Sequence, residues 1–219
     1  MAQTQDGAGT GAGGSDDGVL ERALNRVVSM NADLARSHVR RFGAGKTGAA
    51  LLKRLDRQYR LAIAGSGAAV GASAIVPGFG TAAGVALSGG QAVATLEATM
   101  LYVLSYAEAT GVEVGDVDRR RVLLMAVLLG ESGSRLVEKV VGDSDEHWAA
   151  LVAHGLPAEV VRQVNTQLRG TFLARYGVAQ AATALARLLP FGAGAAVGGI
   201  AGAASSRAVV KATRKAFGV

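Results

Sequence analysis

The chain has no cysteine, and only three of its 219 residues are proline. Without thiols it can form neither a disulfide nor a cysteine-ligated zinc site, and it has no thiolate nucleophile, which suits a reducing compartment. Aromatic residues make up only 5% of the chain, whereas half of it is apolar and 31 residues are glycine. We therefore expect a core in which small side chains let backbones approach closely.

No recognisable catalytic, metal or nucleotide motif is present. The three histidines, His38, His147 and His154, do not have the spacing of a structural zinc site. The segment GAGKT at 43–47 ends like a phosphate-binding loop, but Arg40 stands where that motif needs glycine, and a helical pattern precedes it instead of a strand. Few aromatic residues lie among the basic ones, which disfavours specific nucleic-acid binding. We predict a protein without enzymatic activity or cofactor.

The first 45 residues divide into a tail and a basic segment. Residues 1–16 are rich in glycine and lack the basic start and apolar stretch of a secretory signal, so we expect a disordered tail and no export. Residues 17–45 predict one amphipathic helix, which ends near Gly43. Its polar face is interpreted either as a solvated surface or as a contact with an anionic surface. That face carries Arg22, Arg26, Arg36 and Arg40.

A stretch without charge follows the next helix, which is predicted to begin near Thr47. No charged residue occurs from Leu61 to Leu96, and the segment PGFG at 77–80 interrupts this stretch, which predicts a hairpin of two helices. Each charge-free arm has about 16 residues and a length of about 24 Å, against about 30 Å for the hydrocarbon core of a bilayer. A full membrane crossing is therefore marginal.

A second small-residue hairpin is predicted near the C-terminus. The segment RLLPFGAGAAVGGIAG, which starts at 187, resembles AIVPGFGTAAGVALSGG, which starts at 74, because both place proline and Phe-Gly between small residues. We interpret the two hairpins as an internal pseudo-repeat. Their GxxxG spacings predict flat helix faces for close packing. The glycines at these spacings are Gly67, Gly71, Gly80, Gly84, Gly194, Gly198 and Gly202.

Helix boundaries between the hairpins are marked by turn residues and caps. The second arm of the first hairpin should end at Gly111, and Asp116 should begin a helix that ends at Gly130. A short amphipathic segment at 136–141 and a polar loop at 142–146 follow.

The remaining helices complete an all-α prediction. A small helix should contain Trp148, and Pro157 suits the first turn of a long helix that runs towards Leu189. Glu97 lies inside an apolar helical stretch, where a carboxylate needs a hydrogen bond or an ion pair. The sequence predicts a single helical bundle that includes the two Gly/Ala-rich hairpins.

Three stretches of this sequence are similar to the bacterial EcsC family. They are AVGASAIVPGFGTAAGVALSGG, YAEATGVEVGDVDRRRVLLMAVLLG and RLLPFGAGAAVGGIAGAASSRAVVKATRKAFG. The resemblance covers the chain from about residue 50 to its end, and it implies an EcsC-like helical domain over residues 46–219. The family's biochemical activity is unsettled and it has no agreed catalytic residues, so the resemblance implies no site residue.

Positive charge brackets the apolar middle of the chain. Residues 19–60 hold ten basic residues against three acidic ones, and four more basic residues crowd the C-terminus. Besides the four arginines above, the candidate contacts to an anionic surface are Lys53, Arg57, Arg60, Lys211, Arg214 and Lys215.

Two functional hypotheses follow from these patterns. In the first, a non-enzymatic protein binds the inner face of the cytoplasmic membrane, where small-residue hairpins enter the apolar layer and basic residues meet anionic lipid or a membrane protein. In the second, a soluble all-α module binds other proteins and its hairpins form the buried core. Self-association is compatible with both.

Overall fold

The computed structural model describes residues 13–73, 81–142, 144, 146–186 and 193–219, and it describes side-chain surroundings at 18, 21–65, 93–142, 144, 146–175 and 203–219. Within these ranges every regular element is a helix, so the all-α prediction is confirmed for them. A five-residue π-helical turn, Leu151–Gly155, follows α7 directly. The α-helices are α1 (Gly13–Val28), α2 (Ala32–Phe42), α3 (Gly48–Ser73), α4 (Thr81–Thr110), α5 (Val117–Leu129), α6 (Glu131–Val141), α7 (Trp148–Ala150), α8 (Ala158–Ala186) and α9 (Ala193–Ala216).

The prediction of one basic helix over residues 17–45 is wrong. The chain forms two helices there, α1 and α2, and α1 already begins at Gly13, inside the segment that we expected to be disordered. The side chain of Asn31 accepts a hydrogen bond from the backbone N–H of Asp33 at 2.9 Å and so caps α2. Asparagine competes with the helix for backbone hydrogen bonds, which explains a break at this point.

Most other boundaries agree with the sequence. Gly111 ends α4 with a positive φ of 74°, and Gly130 separates α5 from α6 with a positive φ of 64°. The Asp116 side chain accepts from the backbone N–H groups of Asp118 and Arg119 and so caps α5. Pro157 directly precedes α8 instead of lying in its first turn.

The bundle is centred on α5, whose residues from Val122 to Leu129 are all buried. This helix packs against α1, α4, α6, α8 and α9, so it has no side that needs to be polar. It approaches α6 closely at Gly133, where an added Cβ would lie 2.7 Å from the Cα of Ala126. Gly133 is not among the packing glycines predicted from the sequence.

Helices α3, α4 and α9 form the second part of the bundle. Asp56 of α3 contacts both Tyr102 of α4 and Arg214 of α9 through its carboxylate. Tyr59, further along α3, bonds to Thr99, which precedes Tyr102, so α3 and α4 are antiparallel. Tyr102 and Arg214 meet at Asp56, and the later residues Tyr106 and Phe217 contact each other. Helix α9 therefore runs in the same direction as α4. The C-terminal end of α3 therefore lies at the same end of the bundle as the N-terminal ends of α4 and α9.

The predicted reversals at 74–80 and 187–192 lie outside the described residues, as does Gly80. The helices on both sides of each reversal are present, and the two hairpins themselves stay a prediction. The other six glycines predicted to mediate packing lie in α3, α4 and α9, but their surroundings are outside the described part, so the packing role stays a prediction.

Candidate functional site

Positive charge is concentrated on one pair of helices. Together α3 and α9 carry eight basic residues and a single acidic one, Asp56, which is a net charge of +7. The whole chain has a formal net charge of +6, so the rest of the protein is close to neutral. Such a localised field attracts anionic partners more strongly than the same charge spread over the surface.

The register of α3 and α9 brings the basic side chains together. The Asp56 to Arg214 contact fixes this register, so Arg60, one turn further along α3, lies level with the turn of α9 that carries Lys211. Residues at spacings of three and four share a helix side, as 53, 57 and 60 do on α3 and as 207 and 211 do on α9. We call this surface the basic face: Lys53, Arg57, Arg60, Arg207 and Lys211.

The basic face is exposed and its charge is not compensated. All five of its residues are exposed. Within the ranges that the structure describes, none of the five forms an ion pair, although Arg60 donates from Nε to the backbone carbonyl of Asp56 at 3.3 Å. Arg207 is not among the contacts predicted from the sequence, because it joins the other four residues only through the packing of α9 on α3.

Arg214, in contrast, has a structural role. Its Nε and Nη2 donate to Asp56 Oδ2 at 2.8 and 2.6 Å, and the Asp56 side chain is only 2% exposed. Hydrogen bonding to Asp56 is the main reason that the pKa of Arg214 is raised. A buried carboxylate needs this partner, so we withdraw Arg214 as a candidate contact to an anionic surface.

Lys215 is also engaged within the protein. Its Nζ lies 3.0 Å from Glu138 and 3.7 Å from Glu131, both on α6. These carboxylates raise the pKa of Lys215, chiefly through the hydrogen bond to Glu138. Lys215 therefore joins α9 to α6 and is likewise withdrawn from the candidate contacts.

The candidate arginines of α1 and α2 lie on a different part of the bundle. Both helices pack against α4, whose acidic residues pair with them: Arg26 lies 3.5 Å from Glu97, and Arg36 lies 4.0 Å from Glu108. The sequence predicted a hydrogen bond or an ion pair for a buried Glu97; an ion pair is present, but the Glu97 side chain is 39% exposed. Arg40 donates to Ser37 at 3.4 Å. The structure does not bring these arginines, or Arg22, onto the basic face.

A buried cluster of tyrosines underlies the basic face. Tyr102 donates from Oη to Asp56 Oδ1 at 2.6 Å, and its ring stacks on that of Tyr59 at 4.5 Å. Burial, followed by the bond to Asp56, raises the pKa of Tyr102 well above its usual value. Burial likewise raises the pKa of Tyr106 to about 12. The tyrosines keep their protons at neutral pH, and the cluster serves to hold α3, α4 and α9 together.

Neither a metal site nor a membrane-spanning helix is found in the part of the chain that the structure describes. No group of three or more His, Asp or Glu residues there could hold a metal ion. Among the same residues, no helix combines the length and the apolar character needed to cross a bilayer.

Comparison with known proteins gives no relative from which a role could be transferred. No protein-family model, no curated protein and no solved structure matches this chain. The described part of the chain is an all-α bundle with an exposed basic face, and its similarity to the EcsC family stays a prediction from the sequence.

Proposed function

We propose that this protein is a non-enzymatic, membrane-associated helical protein of the EcsC type, which binds an anionic membrane surface through its basic face. The observation that carries the proposal is the positive charge of the basic face on α3 and α9, whose residues form no ion pair within the described part of the chain. Each basic residue near an anionic membrane surface contributes about 1 kcal/mol of binding free energy. On a face where five such residues are exposed, this contribution is sufficient for peripheral binding.

The position of the basic face along the helices supports the same function. Arg60 is the last charged residue of α3 before the charge-free stretch that begins at Leu61, and Arg207 is the first charged residue of α9. Leu61 itself is 61% exposed. Basic residues thus lie at the border of an uncharged end of the bundle. A protein that enters the headgroup layer has this arrangement, with uncharged residues inserted and basic residues beside the headgroups.

The proposal includes a place in the cell and a kind of partner. The basic face would meet anionic lipid, or a membrane protein with an acidic surface, on the inner side of the cytoplasmic membrane. The alternative is a soluble interaction module in which the small-residue helices only fill the core. The two hypotheses differ in whether the protein binds to an anionic vesicle.

Vesicle flotation tests the proposal with a matched pair of variants. The full chain is mixed with vesicles of phosphatidylglycerol and phosphatidylcholine, or of phosphatidylcholine alone. One variant replaces Arg57, Arg60, Arg207 and Lys211 with glutamine. The control replaces Lys46, Arg135, Lys139 and Arg162 with glutamine, which removes the same charge from exposed positions elsewhere.

We expect the wild type and the control to float with the anionic vesicles only, and the basic-face variant to bind at least about tenfold more weakly, a loss of about 1.4 kcal/mol. Added salt should release the wild type, because exposed charges are screened. Equal binding of the two variants, or no binding of the wild type, would reject the membrane function and favour the interaction module.

A further inference from the structure

A cleft of about 400 Å³ opens between α2, the C-terminal end of α4 and the loop that leads to α5. We call it the α4-end cleft. Its volume is within the range of pockets that hold small molecules. It lies at the end of α4 that is opposite to the charge-free end, so it is separate from the surface proposed to meet a membrane.

Arg120 lines this cleft and is buried, with only 8% of its surface exposed. Its Nε donates to the carbonyl of Val114 and its Nη1 donates to the carbonyl of Met30, both at 2.7 Å. Among the described residues, no carboxylate pairs with Arg120, and no acceptor is found for its Nη2. A buried guanidinium without a counter-ion is costly, and an anion bound in the cleft would compensate it.

The opposite charge is present at the same cleft. Glu113 lines it, is exposed and forms no ion pair with the residues that the structure describes. Glu108 also lines it and is only 4.0 Å from Arg36, which lies closer to Asp33, at 3.4 Å. In addition, α4 ends here, and the C-terminal end of a helix favours a cation.

Arg36 lines the cleft as well, but it is paired with Asp33 and Glu108. Small apolar side chains form most of the remaining wall, namely Ala32, Ala35, Leu104, Ala107, Val112 and Val114. They offer contact to an aliphatic group and no further charge. One uncompensated positive group, one uncompensated negative group and an apolar wall therefore surround the same space.

We propose that the α4-end cleft binds a small aliphatic zwitterion, with its oxyanion at Arg120 Nη2 and its ammonium group at Glu113. A ligand with only a negative charge meets Glu113 and Glu108, and a ligand with only a positive charge meets Arg120. The same chemistry occurs in a free α-amino acid and in a phosphoethanolamine group.

Titration calorimetry with the full chain and three ligands of one shape tests the proposal. The ligands are L-leucine, 4-methylpentanoate, which lacks the amine, and 3-methylbutylamine, which lacks the carboxylate. We expect saturable binding of leucine and at least about tenfold weaker binding of either analogue. O-phosphoethanolamine in a parallel titration shows whether the oxyanion is a carboxylate or a phosphate. Absence of saturable binding of both zwitterions, or equal binding of leucine and its analogues, overturns the proposal.

Glu113→Gln provides the matched variant, because this side chain is exposed and makes no described ion pair. It should weaken the binding of leucine, which loses the partner of its ammonium group, and strengthen the binding of 4-methylpentanoate, which no longer meets the Glu113 carboxylate. Amide chemical shifts of Val112 and Gly115 locate the bound ligand. If leucine binds the variant as tightly as the wild type, or shifts other amides only, the assignment of this cleft is wrong.

Discussion

The core around α5 and the basic face of α3 and α9 both contain several arginines, but these arginines meet different surroundings. At the start of α5, Arg119 donates to the carbonyls of Val152 and Leu156, and Arg121 donates to Asn25. On the basic face, Arg57 and Arg207 have no ion pair among the described residues. An arginine's role therefore depends on the acceptors that the fold places around it, since the residue type is the same in both regions.

The largest expected effect is on the core, through Gly133→Ala. The added methyl group would overlap the backbone of Ala126, and backbone on a packed helix cannot move aside easily. We expect the free energy of unfolding to fall by about 1 to 3 kcal/mol, as for other overpacked sites. Chemical denaturation measures this change.

Gly170→Ala is the control for this prediction. Gly170 also lies within a helix, but an added Cβ there has no neighbour within 4 Å among the described atoms. It should stabilise the protein by up to about 1 kcal/mol through helix propensity. If both variants have the same stability, α5 and α6 do not approach as closely as described. Neither variant should change vesicle binding.

The packing of α3 against α4 and α9 is expected to depend on Asp56. Asp56→Asn leaves Arg214 without its carboxylate and replaces a charged acceptor of the Tyr102 hydroxyl with a neutral one. We expect a loss of about 2 kcal/mol in the free energy of unfolding, less than for a fully buried pair because Arg214 is 39% exposed.

Asp33→Asn is the matched control for Asp56. Its ion pair with Arg36 is exposed on both sides, so its loss should change the free energy of unfolding by less than about 1 kcal/mol. A thermal or denaturant unfolding curve of each variant decides the matter. Equal losses would show that Asp56 is not a buried anchor of α3 to α9.

A smaller difference should separate Arg119→Gln from Arg57→Gln. Arg119 loses two hydrogen bonds to carbonyls, worth about 1 to 2 kcal/mol, whereas an exposed change such as that at Arg57 stays within about 0.5 kcal/mol. Unfolding curves measure stability and vesicle flotation measures binding. If Arg57→Gln is the less stable variant, or if Arg119→Gln binds vesicles less well than Arg57→Gln, the assignment of Arg119 to the core and of Arg57 to the basic face is wrong.

The smallest effect is expected at high pH, beneath the basic face. The pKa of Tyr106 is raised from 10.0 to about 12 and that of Tyr102 is raised further, so the folded state holds protons that the unfolded state releases. This contribution to stability is complete below about pH 10 and is lost as the pH rises through 12. The melting temperature of the wild type should therefore fall in this interval.

A double variant, Tyr102→Phe with Tyr106→Phe, tests the assignment of that alkaline loss. It should be less stable at neutral pH, because Asp56 loses a hydrogen bond, but its melting temperature should fall less between pH 10 and 12. An identical alkaline loss in both proteins would assign the effect to other groups.

Features that depend on neighbouring residues in the chain could be predicted from the sequence. The glycines at 111 and 130 and the capping Asp116 mark helix ends because turns and caps are local hydrogen-bond and backbone effects. The break at Asn31 was missed, because a single capping residue inside a helical pattern is a weak signal.

Which charges are compensated depends instead on contacts between residues far apart in the chain. Arg214 and Asp56 are 158 positions apart, and Arg120 reaches a carbonyl 90 positions away, so no spacing along the chain indicates either contact. The same holds for Arg207, which joins the basic face because α9 packs on α3. It also holds for Gly133, where the backbone of α5 leaves no room for a side chain. The sequence gives the positions of the charged residues along the chain, whereas the compensation of their charges depends on distances that folding sets.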